Sequence, residues 1–185
     1  MMILKIQKNK GFTMVETLVA IFILLISITG PLAVAQGGLK AAFIARDQTV
    51  AYYLAQDAIE FIKNKRDDNF INIRDWLDGL DNCLGSNICT VDTTINDNNI
   101  KLCSTESAEP GCGQLNTLNR ISSSGKFGFT GESTKFYRII NILEVEDDQE
   151  IQITVKVGWL TDNGVLKEVE SRENLLRWPP IYDEI

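Results

Sequence analysis

The sequence predicts an α+β protein: one long N-terminal helix packed on a C-terminal antiparallel sheet. Three observations carry that reading. From Thr17 to Leu39 no residue is charged. From Leu39 to Arg66 apolar residues recur at helical spacing among charged ones. From Arg138 to Ser171 apolar and polar residues alternate in runs separated by turn formers.

The charge-free span, as helix, is about 34 Å long at roughly 1.5 Å per residue, enough to cross a hydrocarbon core of about 30 Å. Ahead of it, Lys5, Lys8 and Lys10 stand in a short leader without an acid. Lysines beside such a segment stay cytoplasmic, so the remainder of the chain is predicted to face outward. That remainder is more acidic than the net −7 of the whole. Such a balance argues against holding nucleic acid through the overall field.

The helix continues past Gly30, Pro31, Gly37 and Gly38, which read as kinks or weak points rather than ends. Leu39, Phe43, Val50, Leu54, Ala58 and Phe61 form an apolar stripe, giving a helix over 12–66 with a face prepared to bury. Beyond Asp67, turn and cap formers dominate, and Phe70, Ile73, Trp76, Leu77 and Leu80 suggest a short amphipathic helix. Residues 83–135 read as irregular, with short strands near Cys89–Thr94 and Asn99–Cys103 and an exposed loop over Ser122–Gly131. Arg138–Glu146, Ile151–Trp159 and Val165–Ser171 are three strands of a meander, turning at Asp147-Asp148-Gln149 and at Thr161–Gly164. The second carries Ile151, Ile153, Val155, Val157 and Trp159 on one face.

The composition excludes much chemistry. With no histidine, Ser-His-Asp and Cys-His catalysis, histidine zinc sites and imidazole switches are absent. No phosphate-binding loop, GxSxG or dinucleotide fingerprint occurs. No catalytic residue and no cofactor is expected. Four cysteines follow the apolar segment: Cys83, Cys89, Cys103 and Cys112. In an oxidising compartment they form disulfides, and of three possible pairings Cys83–Cys89 with Cys103–Cys112 closes the smallest loops. A four-cysteine zinc site is disfavoured because no CxxC pair is present. Asp147, Asp148 and Glu150, or the aspartates from Asp67 to Asp81, are acidic enough to consider for calcium but lack EF-hand spacing. Lys63, Lys65 and Arg66 read as a solvated helix end whose cations suit its dipole, not as a nucleic-acid site. Tyr52, Tyr53, Phe127 and Phe129 are candidate contact aromatics.

The N-terminus admits three readings. One is a plain single-span anchor. A second is a secretory signal peptide, since Ala33-Val34-Ala35 offers a cleavage site before Gln36; the product would be a secreted or anchored acidic binding domain. The third starts from Gly11 and Glu16. A carboxylate inside an apolar segment costs about 2.5–3.5 kcal/mol on insertion scales and calls for a partner. A free amine at residue 12, four residues away on the same face, would supply one.

Residues 10–20, Lys-Gly-Phe-Thr-Met-Val-Glu-Thr-Leu-Val-Ala, resemble the signal of type IV prepilins and type II secretion pseudopilins: basic leader, Gly, Phe, Thr, two apolar residues, Glu, long apolar helix. The resemblance implies cleavage of the leader 1–11 after Gly11 by prepilin peptidase and N-methylation of Phe12. It implies pairing of Glu16 with a neighbouring subunit's amine during filament assembly, and a helix kink at Pro31. Prepilin peptidase, other pilin or pseudopilin subunits, the membrane and an inner-membrane assembly platform are the implied partners. The precursor would span the cytoplasmic membrane once, head outside, before joining a surface or periplasmic filament. The head, 67–185, is then a pilin-like roll with a disulfide-bearing irregular region at 83–112. That region favours a minor pilin. The Val-x-Val-x-Trp strand and the late Leu-Arg-Trp also resemble the C-terminal sheet of many minor pilins and pseudopilins.

Overall fold

The computed structural model describes residues 11–95, 99–104 and 109–177. Two compact units divide the chain, Met1–Ala45 and Arg46–Ile185. One helix, α1 (Met14–Ile71), contributes to both.

Within the first unit every described side chain is exposed. The apolar residues of this stretch, Leu18, Ile21, Phe22, Leu24 and Leu25 among them, are exposed among the described residues. The helix runs without a break through Gly30, Pro31, Gly37 and Gly38. Three hydroxyls bond back to their own helix: Thr17 Oγ1 to the Met14 carbonyl at 2.8 Å, Ser27 Oγ to Leu24 at 2.8 Å and Thr29 Oγ1 to Ile26 at 3.2 Å. Such bonds let a polar residue sit in an apolar segment without an unmet donor.

The second unit is the α+β body. Strands β1 (Cys89–Val91), β2 (Ile100–Leu102), β6 (Phe136–Glu146), β7 (Glu150–Leu160) and β8 (Leu166–Leu176) form one antiparallel sheet in the order β2-β1-β6-β7-β8. A smaller sheet has the order β4-β3-β5, from β3 (Asn119–Arg120), β4 (Phe127–Gly128) and β5 (Glu132–Ser133). A 3₁₀ turn spans Asp81–Cys83. The β6-β7-β8 meander has the predicted turns, and Ile151, Ile153, Val155, Val157 and Trp159 are the buried face of β7.

Helix residues Ala51, Leu54, Ala55, Ala58, Ile59 and Ile62 are buried with that face in one core. The stripe is therefore rotated from the predicted one. Leu54 and Ala58 belong to it, Val50 and Phe61 sit at its edge, and Leu39 and Phe43 are exposed. Ala51, Ala55 and Ala58 are fully buried in it. Asp47 continues the buried row at its N-terminal end, with its carboxylate 2.5 Å from Lys135 Nζ.

The helix outlasts its predicted end by more than a turn. It closes where the Arg74 N–H reaches the Asn69 carbonyl at 2.9 Å and the Ile73 N–H reaches Phe70 at 3.1 Å. This paired pattern is a Schellman cap, with Ile73 at the left-handed position glycine normally takes. Its φ is +55°, a conformation that costs an L-residue about 1–2 kcal/mol. The predicted short helix over Phe70–Leu80 is consequently absent. Its residues form turns, and Trp76, Leu77 and Leu80 bury without helical geometry. The predicted loop at Ser122–Gly131 likewise contains β4.

Candidate functional site

The candidate site is the entry to α1. Gly11, Phe12 and Thr13 precede the helix. Thr13 is its cap: its carbonyl accepts from the Thr17 N–H at 3.2 Å, and its Oγ1 accepts from the Glu16 N–H at 3.3 Å. The Thr-x-x-Glu spacing is that of a capping box, and Glu16 also lies in the first turn, where the helix dipole favours an anion. Sequence reasoning had given Thr13 no such role, although the spacing was available to signal it. Phe12 is 80% exposed. Among the described residues the Glu16 carboxylate meets no cation. Lys5, Lys8 and Lys10 lie outside the described residues. Pro31 is inside the helix; having no N–H, it leaves the Ser27 carbonyl without its usual donor.

The body holds a different set. Cys83 is bonded to Cys89 and Cys103 to Cys112, with Cα separations of 4.9 and 5.3 Å. Among the described residues no group of three His, Cys, Asp or Glu side chains is placed to hold a metal. Several of the acids weighed for calcium bond to protein groups. Asp148 accepts from Trp76 Nε1 at 3.1 Å and pairs with Arg177. Asp68 pairs with Arg74 at 2.5 Å. The basic run is not a helix end, because α1 continues to Ile71 and has no cation in its last turn. Lys63 pairs with Glu173, and Arg66 Nη1 donates to the Leu176 carbonyl at 3.0 Å, so both tie α1 to β8. Trp178 of the late Leu-Arg-Trp lies outside the described residues. Of the contact aromatics, Tyr52 and Tyr53 are exposed, while Phe127 packs edge-on against Phe136.

Arg138 is the main residue that sequence reasoning missed. It is fully buried, and its guanidinium donates to the Leu54 carbonyl at 2.9 Å, the Val91 carbonyl at 2.7 Å and Asp57 at 3.1 Å. Helix, β1 and β6 meet at this one side chain. Burial pulls its pKa down, and the charges of Asp57 and Asp92 oppose that pull. The parity of β6 carried the signal, since Arg138 shares a face with Ile140 and Ile142. Asp92 is also buried. It accepts from the Thr94 N–H at 2.8 Å and the Phe129 N–H at 2.6 Å, fastening the small sheet to the large one.

An open cleft beside α1 is lined by Tyr53, Asp57, Lys63, Lys126, Phe127 and Glu173, among others. Several of its polar groups are committed to the fold, Asp57 to Arg138 and Thr93, Glu173 to Lys63. This arrangement does not assemble a nucleophile, base and oxyanion site.

No curated protein and no solved structure matches the chain. A family model, the prokaryotic N-terminal methylation motif, matches residues 6–30. These include Gly11, Phe12, Thr13, Glu16 and the first turns of the exposed apolar helix. The chain thus carries, at the entry to a helix long and apolar enough to cross a membrane, the signal of type IV prepilins and pseudopilins.

Proposed function

We propose that the protein is a structural subunit, a minor pilin or pseudopilin, of a type IV pilus or a type II secretion-like filament. In this reading prepilin peptidase removes residues 1–11 and Phe12 becomes the methylated N-terminus. The apolar helix then passes from the membrane into a bundle of neighbouring helices, with Pro31 as its kink. Residues 67–185 form the head outside the cytoplasmic membrane, and the protein catalyses no reaction.

The observation that supports this most is the match at residues 6–30 on a helix whose apolar side chains have no burial of their own. An apolar helix leaving lipid must stay covered, and other apolar helices supply that cover. Glu16 fits the same picture. Its carboxylate has no cation within the described chain, and an unpaired charge in an apolar bundle is costly. A neighbour's N-terminal amine would answer it and fix the axial register.

Intact mass and N-terminal sequencing of the protein from its native membrane test the reading. The expected product starts at methylated Phe12. Gly11→Val should leave the precursor uncut. Glu16→Val should be cut but fail to enter filaments. A chain starting at Gln36 would instead make this a secreted binding domain. A mature Gly11→Val protein would refute the reading outright.

A further inference from the structure

We propose that β8 is a docking edge for an extended segment of a different protein, which adds to the five-stranded sheet as a further strand. β8 is an outer strand, eleven residues long, and it pairs with β7 in unbroken register. Its phase is fixed at both ends. The Thr161 N–H donates to the Val165 carbonyl at 3.0 Å, and the Arg177 N–H donates to the Gln149 carbonyl at 2.8 Å. Hydrogen-bonded pairs alternate along an antiparallel ladder, so the odd positions of β8 face β7. The N–H and C=O groups of Leu166, Glu168, Glu170, Arg172 and Asn174 therefore point away from the sheet. Among the described residues none of them finds a hydrogen-bond partner.

Long free edges are normally blunted by proline, by a bulge or by charges reaching over the edge. β8 has neither proline nor bulge, and its acids are drawn back over their own molecule. Glu168 accepts from the Tyr137 hydroxyl of β6, Glu170 pairs with Lys156 of β7 at 3.3 Å, and Glu173 pairs with Lys63 of α1. The charges are answered while the backbone stays open. A row of outward N–H and C=O groups is complemented by another extended main chain. From Leu166 to Asn174 the row spans about 27 Å at roughly 3.4 Å per residue, room for a segment of about nine residues. Beside it, Ser171 and Glu173 line one cleft with Gln56, Ile59 and Glu60 of α1. That cleft leaves space for alternate side chains of the incoming strand.

The edges of the chain itself do not supply the occupant. Among the described residues the other outer strands, β2, β4 and β5, are three, two and two residues long. A second β8 could pair only antiparallel, about a two-fold axis normal to the sheet. A single membrane anchor, tested separately by the N-terminal mass, would forbid that pairing, because the two α1 helices would point in opposite directions. Within one chain, Arg66 Nη1 already holds the outward carbonyl of Leu176, where a strand returning from Arg177 would begin. The main chain of a different protein fits the edge without these conflicts.

The test uses the full chain in the cell that makes it, with benzoylphenylalanine in place of exposed Gln56 in the cleft. Irradiation should give an adduct with a different protein. In the same background Arg172→Pro and Glu170→Pro should each lower that adduct at least about tenfold, because proline removes an outward N–H and its ring fills the place of the incoming strand. Arg172→Ala and Glu170→Ala keep the N–H and should leave the adduct within about twofold, since exposed ion pairs contribute little. Each proline variant, purified in detergent, should keep the near-ultraviolet circular dichroism of its alanine counterpart, because neither N–H bonds β7. Ser171→Pro, whose N–H does bond β7, should lose it. The proposal is overturned by no adduct, by an adduct with a second copy or with residues 178–185, by one that survives both prolines, by one that the alanines abolish as well, or by prolines at 170 and 172 that unfold the sheet as Ser171→Pro does.

Discussion

Gly158 should be one half of a strongly coupled pair whose other half is Tyr137. It stands in β7 opposite Tyr137 of β6, with Glu168 of β8 on its other side. Its backbone is not left-handed, so space rather than conformation requires glycine. A Cβ there would lie under 3.0 Å from Tyr137 Cζ and from the hydroxyl oxygen. The ring has little room to retreat, since its hydroxyl donates to Glu168 Oε1 at 2.5 Å. Gly158→Ala therefore has two costs. Overpacking contributes about 1–3 kcal/mol. Disturbing a hydrogen bond to a charged acceptor adds up to about 1.5–3 kcal/mol, reduced if water re-solvates the hydroxyl. The sum is roughly 2.5–6 kcal/mol, or about 8–18 °C in Tm for a unit of this size. Tyr137→Ala alone should cost about 3 kcal/mol. In that background Gly158→Ala should be nearly neutral, because the clash is gone and alanine restricts the unfolded chain. Thermal unfolding of the four proteins in detergent, followed by near-ultraviolet circular dichroism, closes the cycle. Additivity within about 0.5 kcal/mol would refute the steric argument.

Two further outcomes follow from the same sheet and its neighbours. Burial, with help from Glu168, holds the Tyr137 hydroxyl well above the usual phenol range. Its neutral form is thus favoured by folding, so its contribution is full below the ordinary tyrosine pKa and is lost as pH rises through the folded value. Alkaline titration of tyrosinate absorbance should show a late step, and Tyr137→Phe should remove it. The disulfides close loops of 6 and 9 residues. On the chain-entropy model, replacing both cysteines of a pair by serine should cost about 2 kcal/mol for Cys83–Cys89 and about 3 kcal/mol for Cys103–Cys112, measured as shifts in denaturation midpoint.

The sequence was most legible where a local pattern and its environment agree. The β6-β7-β8 meander could be read because each strand has one wet and one dry face, and two turns separate them. The methylation motif could be read because it is contiguous and its residue types are unusual together. The end of α1 was not legible, since a Schellman cap is recognised by glycine and here an isoleucine occupies that place. The error then propagated: without a stop at Ile71, the apolar spacing of Phe70, Ile73, Trp76, Leu77 and Leu80 mimics a helix. The stripe was misplaced for another reason. Alanine at 51 and 55 is a weak hydrophobic signal, yet both are fully buried, while larger Phe43 stays outside. Arg138 was hidden by its charge. Only the three carbonyl and carboxylate acceptors around it, which come from sequence-distant segments, make its burial tolerable.

Those acceptors also explain how one helix can serve two surroundings. From Asp47 to Ile62 the helix has a buried face, and Arg138 grips its Leu54 carbonyl from the sheet. Before Asp47 no described side chain is buried. Substitutions between Gly11 and Ala45 should alter insertion, processing or assembly and leave the unfolding of the body unchanged. Substitutions from Asp47 to Ile62 should do the reverse. A helix built only to complete a fold would show its strongest apolar character where it meets the sheet. Here that character is strongest where no described side chain is buried, which suits a helix covered by lipid or by other chains.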